Sequence, residues 1–176
     1  MALTLAGCSG LEGTGEKGYV TSDGRVTELD AGDRSSAISI SGKDLRGEPL
    51  DLADYRGKVV VMNVWGQWCG ECHAEAGDVV GAAEKTEGDD VAFVGINVRD
   101  SSPETARSYE RQYDVPFPSF YDPSSEKLLA FNGALPISAT PSTVVLDREG
   151  RVAASVIGVL PSEQTLISMI EKVVAE

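Results

Sequence analysis

Histidine occurs once in this chain, at His73, and cysteine three times, at Cys8, Cys69 and Cys72. That scarcity narrows the possible metal chemistry. A structural zinc site needs four ligands, usually Cys and His. Besides Cys69 and Cys72 there remain only the distant Cys8 and His73, which follows Cys72 directly. Positive charge is also scarce: 15 Lys and Arg stand against 28 Asp and Glu, a net charge of −13. Such a surface repels nucleic-acid phosphates and anionic lipid headgroups alike. No apolar run reaches the roughly 18 residues that a membrane-spanning helix requires. No internal repeat is present. Aromatic residues are only 6%, yet apolar residues reach 41% of 176, enough for one globular domain with a proper core.

Against this background one stretch stands out: Trp65-Gly66-Gln67-Trp68-Cys69-Gly70-Glu71-Cys72-His73. Before it runs Val59-Val60-Val61-Met62-Asn63-Val64, a buried strand by composition. After it, Ala76, Val79, Val80 and Ala83 form the i, i+3, i+4, i+7 stripe of a helix. A strand that ends in C-x-x-C at a helix start points to a dithiol redox site. The helix N-terminus presents unpaired N–H groups and roughly half a positive charge. A thiolate there is stabilised, so the first cysteine becomes the stronger nucleophile. Cys69 is therefore read as the attacking thiolate and Cys72, one turn on, as the resolving thiol. A purely structural disulfide would close a very short loop and constrain the unfolded chain little.

Glu75 follows Cys72 by three positions and lies on or beside the buried stripe. Burial raises a carboxyl pKa, and a raised carboxylate can exchange a proton with Cys72 as general acid–base. The alternative is a solvated glutamate in the first helical turns. His73 is read as solvent-facing, with a small electrostatic effect and no catalytic role.

Along the rest of the chain, Leu5-Ala6-Gly7-Cys8-Ser9 resembles a bacterial lipobox, with Cys8 as the lipid-attachment residue. Only seven residues precede Cys8, without a basic region or a full apolar stretch. The match is therefore either the tail of a lipoprotein signal, residues 1–8, or chance; its position before a polar segment favours the first. Residues 9–36 hold six glycines and few apolar side chains. They read as a flexible linker, which as a coil would span about 30 Å. The domain is expected over residues 37–176. Ile38 and Ile40 alternate with serines as a short strand, and residues 42–45 read as a turn. Residues 91–98 form a second buried strand. Ser102-Pro103-Glu104 is an N-cap, Pro at the first helical position and an acid in the first turn. A short strand is expected at residues 119–121 and a short helix at 124–131. Residues 143–157 read as a hairpin around Asp147-Arg148-Glu149-Gly150. A final helix opens at Pro161-Ser162-Glu163. The order makes an α/β layered domain.

That order is the thioredoxin fold: a mixed central sheet flanked by helices. The residues also resemble the TlpA/ResA-like family of extracytoplasmic thiol–disulfide oxidoreductases, and within it the ResA/CcsX-like group. The resemblance rests on Gly57-Lys58 and the strand after it, on Trp65, on Trp68-Cys69-x-x-Cys72, on Glu75, and on Thr140-Pro141-Ser142-Thr143-Val144-Val145-Leu146-Asp147-Arg148-Glu149-Gly150. It covers about 140 residues, from Ala37 to the end. Residues 103–131 look like the βα insert that sets this family apart from plain thioredoxin.

The resemblance implies that Pro141 is a cis-proline placed with Thr140 against the sulfurs. The Thr140 backbone would pair with an extended substrate strand, and Trp68 would join these two in binding it. It implies no cofactor and no metal. The expected activity is reduction of the disulfide in apocytochrome c, with electrons from a membrane thiol reductase of the CcdA kind. Two departures stand out: Glu71 occupies a position that is often Pro before the second cysteine, and Gly77 another that is usually Pro. An oxidant that installs disulfides would use the same fold and cysteines. A copper-handling lipoprotein would normally add a distant His, and this chain's one His adjoins Cys72. A peroxidase reading lacks the matching Thr and Arg pattern.

Overall fold

In the computed structural model, residues 26–131 and 133–176 are described. Eight strands and three α-helices follow one another as β1 (Val26–Glu28), β2 (Ser41–Lys43), β3 (Pro49–Asp51), β4 (Val59–Trp65), α1 (Gly70–Thr86), β5 (Val91–Val98), α2 (Pro103–Tyr113), β6 (Ser119–Asp122), β7 (Ser142–Leu146), β8 (Val152–Ile157) and α3 (Glu163–Val174). Six strands form one sheet in the order β1-β8-β7-β4-β5-β6, and β2 and β3 form a separate hairpin. β4 runs parallel to β5, and β5 to β6, while β7 and β8 are antiparallel to their neighbours. The sheet is mixed, as expected.

β4 is buried along its whole length because it has sheet neighbours on both sides and a layer on each face. Its side chains alternate between those layers. Val59 and Val61 pack with Val79, Ala83, Leu166 and Ile170 of α1 and α3. Val60, Met62 and Val64 pack on the opposite face with Leu52, Leu128 and Phe131. The alternation carries Asn63 and Trp65 to the α1 side, where the C-x-x-C lies.

The chain from β5 to β6 builds the expected insert. Ser102 caps α2 by accepting from the Thr105 N–H at 3.2 Å, with Pro103 next. Tyr109 of α2 then stacks on Trp65, ring centroids 4.4 Å apart. Gly95 makes room for that indole: a Cβ there would stand 2.8 Å from Trp65 Nε1 and 2.2 Å from Ser119 Oγ.

Two expectations are corrected. The flexible linker is expected through Ser36, but from Val26 on the chain is folded. β1 pairs with the edge of β8, and Val26 is buried. Arg34 reaches Asp147 at 3.1 Å and also pairs with Glu176. A sheet edge offers ready-made backbone partners, so a short polar segment can order without an apolar set of its own. Ile38 and Ile40 are buried but belong to no strand; the ladder, Ser41–Lys43, begins just after them and runs on into the segment expected as a turn, residues 42–45. The short helix expected at residues 124–131 is present as a 3₁₀ helix, Glu126–Phe131.

Candidate active site

Cys69 is the N-cap of α1, and its sulfur accepts the Cys72 N–H at 3.1 Å. This is the helix-terminus contact that favours a thiolate. The two cysteines are joined in a disulfide with Cα atoms 5.3 Å apart. Cys69 is 4% exposed and Cys72 fully covered, so Cys69 is the sulfur that an incoming group can meet.

Glu75 is 2% exposed, one turn below Cys72. Its Oε1 accepts from Asn63 Nδ2 at 3.0 Å and its Oε2 from the Leu160 N–H at 2.7 Å. Burial pushes its pKa up to about 7, although both hydrogen bonds pull it down. Desolvation outweighs them because Asn63 and the amide are neutral donors and, among the described residues, no cation faces the carboxylate. A carboxyl poised near neutrality beside a thiol can take and return a proton. Asn63 also donates to Thr143 Oγ1 at 3.2 Å, which ties β4, β7 and α1 into this network.

The Thr140–Pro141 bond is cis. The Pro141 carbonyl accepts the Gly158 N–H at 3.0 Å, while among the described residues the Thr140 backbone N–H and carbonyl make no hydrogen bond. Trp68, 46% exposed, donates its Nε1–H to the Val98 carbonyl at 3.0 Å. Arg99 lies 4.1 Å over the Trp68 ring and donates to Thr140 Oγ1 at 3.0 Å. Trp68 and Thr140, far apart in sequence, are thus linked through one side chain. Cys8 lies outside the described residues, as does any lipid it carries.

The reading of His73 as solvent-facing is corrected. The ring is half-buried between Tyr109 and Tyr113. Its Nε2 meets the Gln67 carbonyl at 2.8 Å and its Nδ1 the Tyr113 hydroxyl at 2.9 Å. A carbonyl only accepts, so the neutral ring carries its proton on Nε2 and accepts from Tyr113. The loop before Cys69 is held from the other side by Asp100, whose Oδ2 accepts the Gln67 N–H at 3.0 Å and Asn97 Nδ2 at 2.6 Å. Tyr109 donates to the Cys72 carbonyl at 2.8 Å, and burial holds its phenol well above the usual range.

Asn63, Arg99, Asp100 and Tyr109 were not singled out from sequence. Asn63 did leave a signal, as the lone polar residue in the run at residues 59–64. Arg99 and Asp100 directly follow a buried parallel strand, at the end where α/β sheets carry their sites.

A dithiol capping a helix, a buried acid below it and a cis-proline loop on the same thioredoxin-like sheet define a thiol–disulfide oxidoreductase. The comparisons agree. The sequence model described as the AhpC/TSA family matches residues 34–155, and the chain belongs to that family, as a TlpA/ResA-like member of the thioredoxin superfamily. The thiol-disulfide oxidoreductase ResA of Bacillus subtilis (strain 168) is 29% identical over 126 residues, covering 72% of this chain and 68% of its own length. The crystal structure of a DsbF homologue from Corynebacterium diphtheriae aligns with a TM-score of 0.79 and 34% identity, over 89% of this chain and 98% of that one. A secreted thiol-disulfide isomerase from Corynebacterium glutamicum aligns with a TM-score of 0.81 and 30% identity, over 93% and 100%.

Proposed function

We propose that this oxidoreductase works outside the cytoplasm, tethered to the membrane by a lipid on Cys8, and reduces a disulfide in an extended protein segment. Apocytochrome c is the substrate that the resemblance points to, and a membrane thiol reductase of the CcdA kind the electron donor. The observation that carries the chemistry is the Cys72 N–H on Cys69 Sγ at 3.1 Å, with the buried Glu75 one turn below.

In the reduced enzyme the Cys69 thiolate attacks one sulfur of the substrate disulfide. That S–S bond breaks, its other sulfur leaves with the electron pair and takes a proton, and Cys69 holds the substrate as a mixed disulfide. Glu75 takes the Cys72 proton. The Cys72 thiolate attacks Cys69 sulfur, the mixed disulfide breaks, and the second substrate sulfur leaves as a thiol. Two electrons have passed to the substrate, and the Cys69–Cys72 disulfide remains for the donor to reduce.

The polarity of β1 sets the side of the domain from which a tether on Cys8 would run. Val26 pairs with Val156, and Ile157 with Ser142, which pairs with Val64. The chain therefore enters β1 at the sheet end that carries the cysteines. A second reading, oxidation or isomerisation of secreted proteins, is favoured by the likeness to the secreted thiol-disulfide isomerase of Corynebacterium glutamicum. The midpoint potential of Cys69–Cys72, from thiol trapping across a redox series at neutral pH, separates the two. A value at or below about −250 mV supports the reductase; one between about −120 and −180 mV overturns it in favour of the second reading.

A further inference from the structure

Arg99 follows the last residue of β5 with φ 60°, a left-handed backbone uncommon for residues with a side chain. Such outliers concentrate where function fixes them. This one turns the guanidinium onto the Trp68 ring at 4.1 Å and sends one N–H to Thr140 Oγ1 at 3.0 Å. Trp68 cannot move away. Its Nε1 is bound to the Val98 carbonyl, and a Cβ on Gly66 would stand 2.4 Å from that nitrogen. Trp68, Arg99 and Thr140 thus form one wall, running from the residue before Cys69 to the residue before Pro141.

The charge on that wall is uncompensated. Arg34, Arg46, Arg107 and Arg151 sit in ion pairs, and Arg56 and Arg148 donate to backbone carbonyls; Arg111, in the last turn of α2, is exposed and unpaired among the described residues but belongs to no such wall. Arg99 is exposed and makes no ion pair among the described residues. The adjacent acid does not neutralise it, because the Asp100 carboxylate faces inward onto Gln67 and Asn97. The guanidinium therefore keeps open N–H donors of the kind that pair with a carboxylate. The chain's −13 net charge opposes an acidic ligand at long range, but salt screens it beyond about 8 Å, where the local cation dominates.

We propose that Arg99 is a specificity-determining residue that takes an acidic side chain flanking the target disulfide, so that acid-flanked substrates are preferred. This rests on the reading that a substrate strand lies along Thr140. Glu71, exposed in the first turn of α1, would favour the opposite charge, and the test separates the two.

The test compares three disulfide peptides that differ only in their flanking residues, glutamate, glutamine or lysine, as substrates of the reduced full-length protein. The expected order in kcat/KM is acidic above neutral above basic, with about a fivefold step between acidic and neutral, the scale of an exposed charge pair. The step should shrink as salt rises. Arg99→Lys should keep the preference, Arg99→Gln should abolish it, and Arg99→Glu should invert it toward the basic peptide, with thermal melts showing each variant folded. Equal rates on the three peptides with the wild-type protein, or a preference for the basic one, overturn the assignment while leaving the oxidoreductase reading intact. Persistence of the acidic preference in Arg99→Glu also overturns it. No turnover of any peptide overturns both.

Discussion

Asn63, in the middle of β4, donates its side-chain N–H to Glu75 on α1 across 3.0 Å, and both groups are buried. Burial of that carboxyl, against the downward pull of the Asn63 bond, makes Glu75 a pH-dependent element of stability. In the folded disulfide form its pKa is about 7, against 4.5 ordinarily. The folded state therefore holds a proton that the unfolded state releases between those values. The stabilisation is complete below about pH 4.5 and is lost as pH rises through 7. At 1.36 kcal/mol per unit this amounts to about 3 kcal/mol. Urea melts of the oxidised protein at pH 4 and pH 8.5 should show Glu75→Gln gaining about 3 kcal/mol on the wild type between the two. Parallel behaviour at both pH values would show that Glu75 titrates normally.

The same carboxyl is expected to limit resolution of the mixed disulfide. With a single-turnover peptide assay, Glu75→Gln should slow release of the second thiol by about a hundredfold, the lower end of general acid–base effects. Formation of the mixed disulfide should change far less, since Cys69 draws its activation from the helix terminus. A variant that slows both steps equally would place Glu75 in general positioning, outside the proton path.

The cysteine roles separate cleanly. Cys69→Ser should abolish attack, and Cys72→Ser should accumulate a Cys69 mixed disulfide with a substrate peptide, visible as an added mass under non-reducing conditions. Adduct on the Cys69→Ser protein and none on Cys72→Ser would reverse the assignment.

Gly77 is exposed within α1, and a Cβ added there would meet nothing within 4 Å. Its backbone is helical and needs no glycine. Gly77→Ala should stabilise the protein by about 0.5–1 kcal/mol in chemical denaturation, because it removes unfolded-state freedom. A loss of stability would mean that this turn needs its glycine for a contact made outside the free chain.

Much of the site was legible because its signals are local. The Cys69–Cys72 spacing, the apolar run before it and the helical stripe after it act within one strand–helix unit, and Ser102 and Ser162 cap their helices through neighbours three residues away. What escaped depends on partners distant in sequence. Val26 orders because β8 offers an edge, Arg34 because Asp147 lies 113 positions on, and Arg99 because Thr140 lies 41 positions on. Nothing in the local composition of residues 26–36 could reveal that edge. The role of Tyr109 leaves no local sign, since its hydroxyl's partner, the Cys72 carbonyl, is a backbone group that no side-chain pattern announces.

His73 is the sharpest instance, and it yields the last expectation. Beside a cysteine on an early helical turn, a polar ring reads as solvated. Here it bridges the Gln67 carbonyl and the Tyr113 hydroxyl, joining the loop before Cys69 to α2. Removing it leaves the carbonyl of half-buried Gln67 without its donor and takes a ring from the tilted cluster with Tyr109 and Tyr113. His73→Ala should cost about 1–3 kcal/mol of stability in urea, and amide exchange in residues 66–69 should speed up because one of the two ties on Gln67 is gone. The Asp100 tie remains, so the loop loosens locally and the fold stays intact. Unchanged exchange in that loop, with unchanged stability, would return His73 to the solvated role its sequence position suggests.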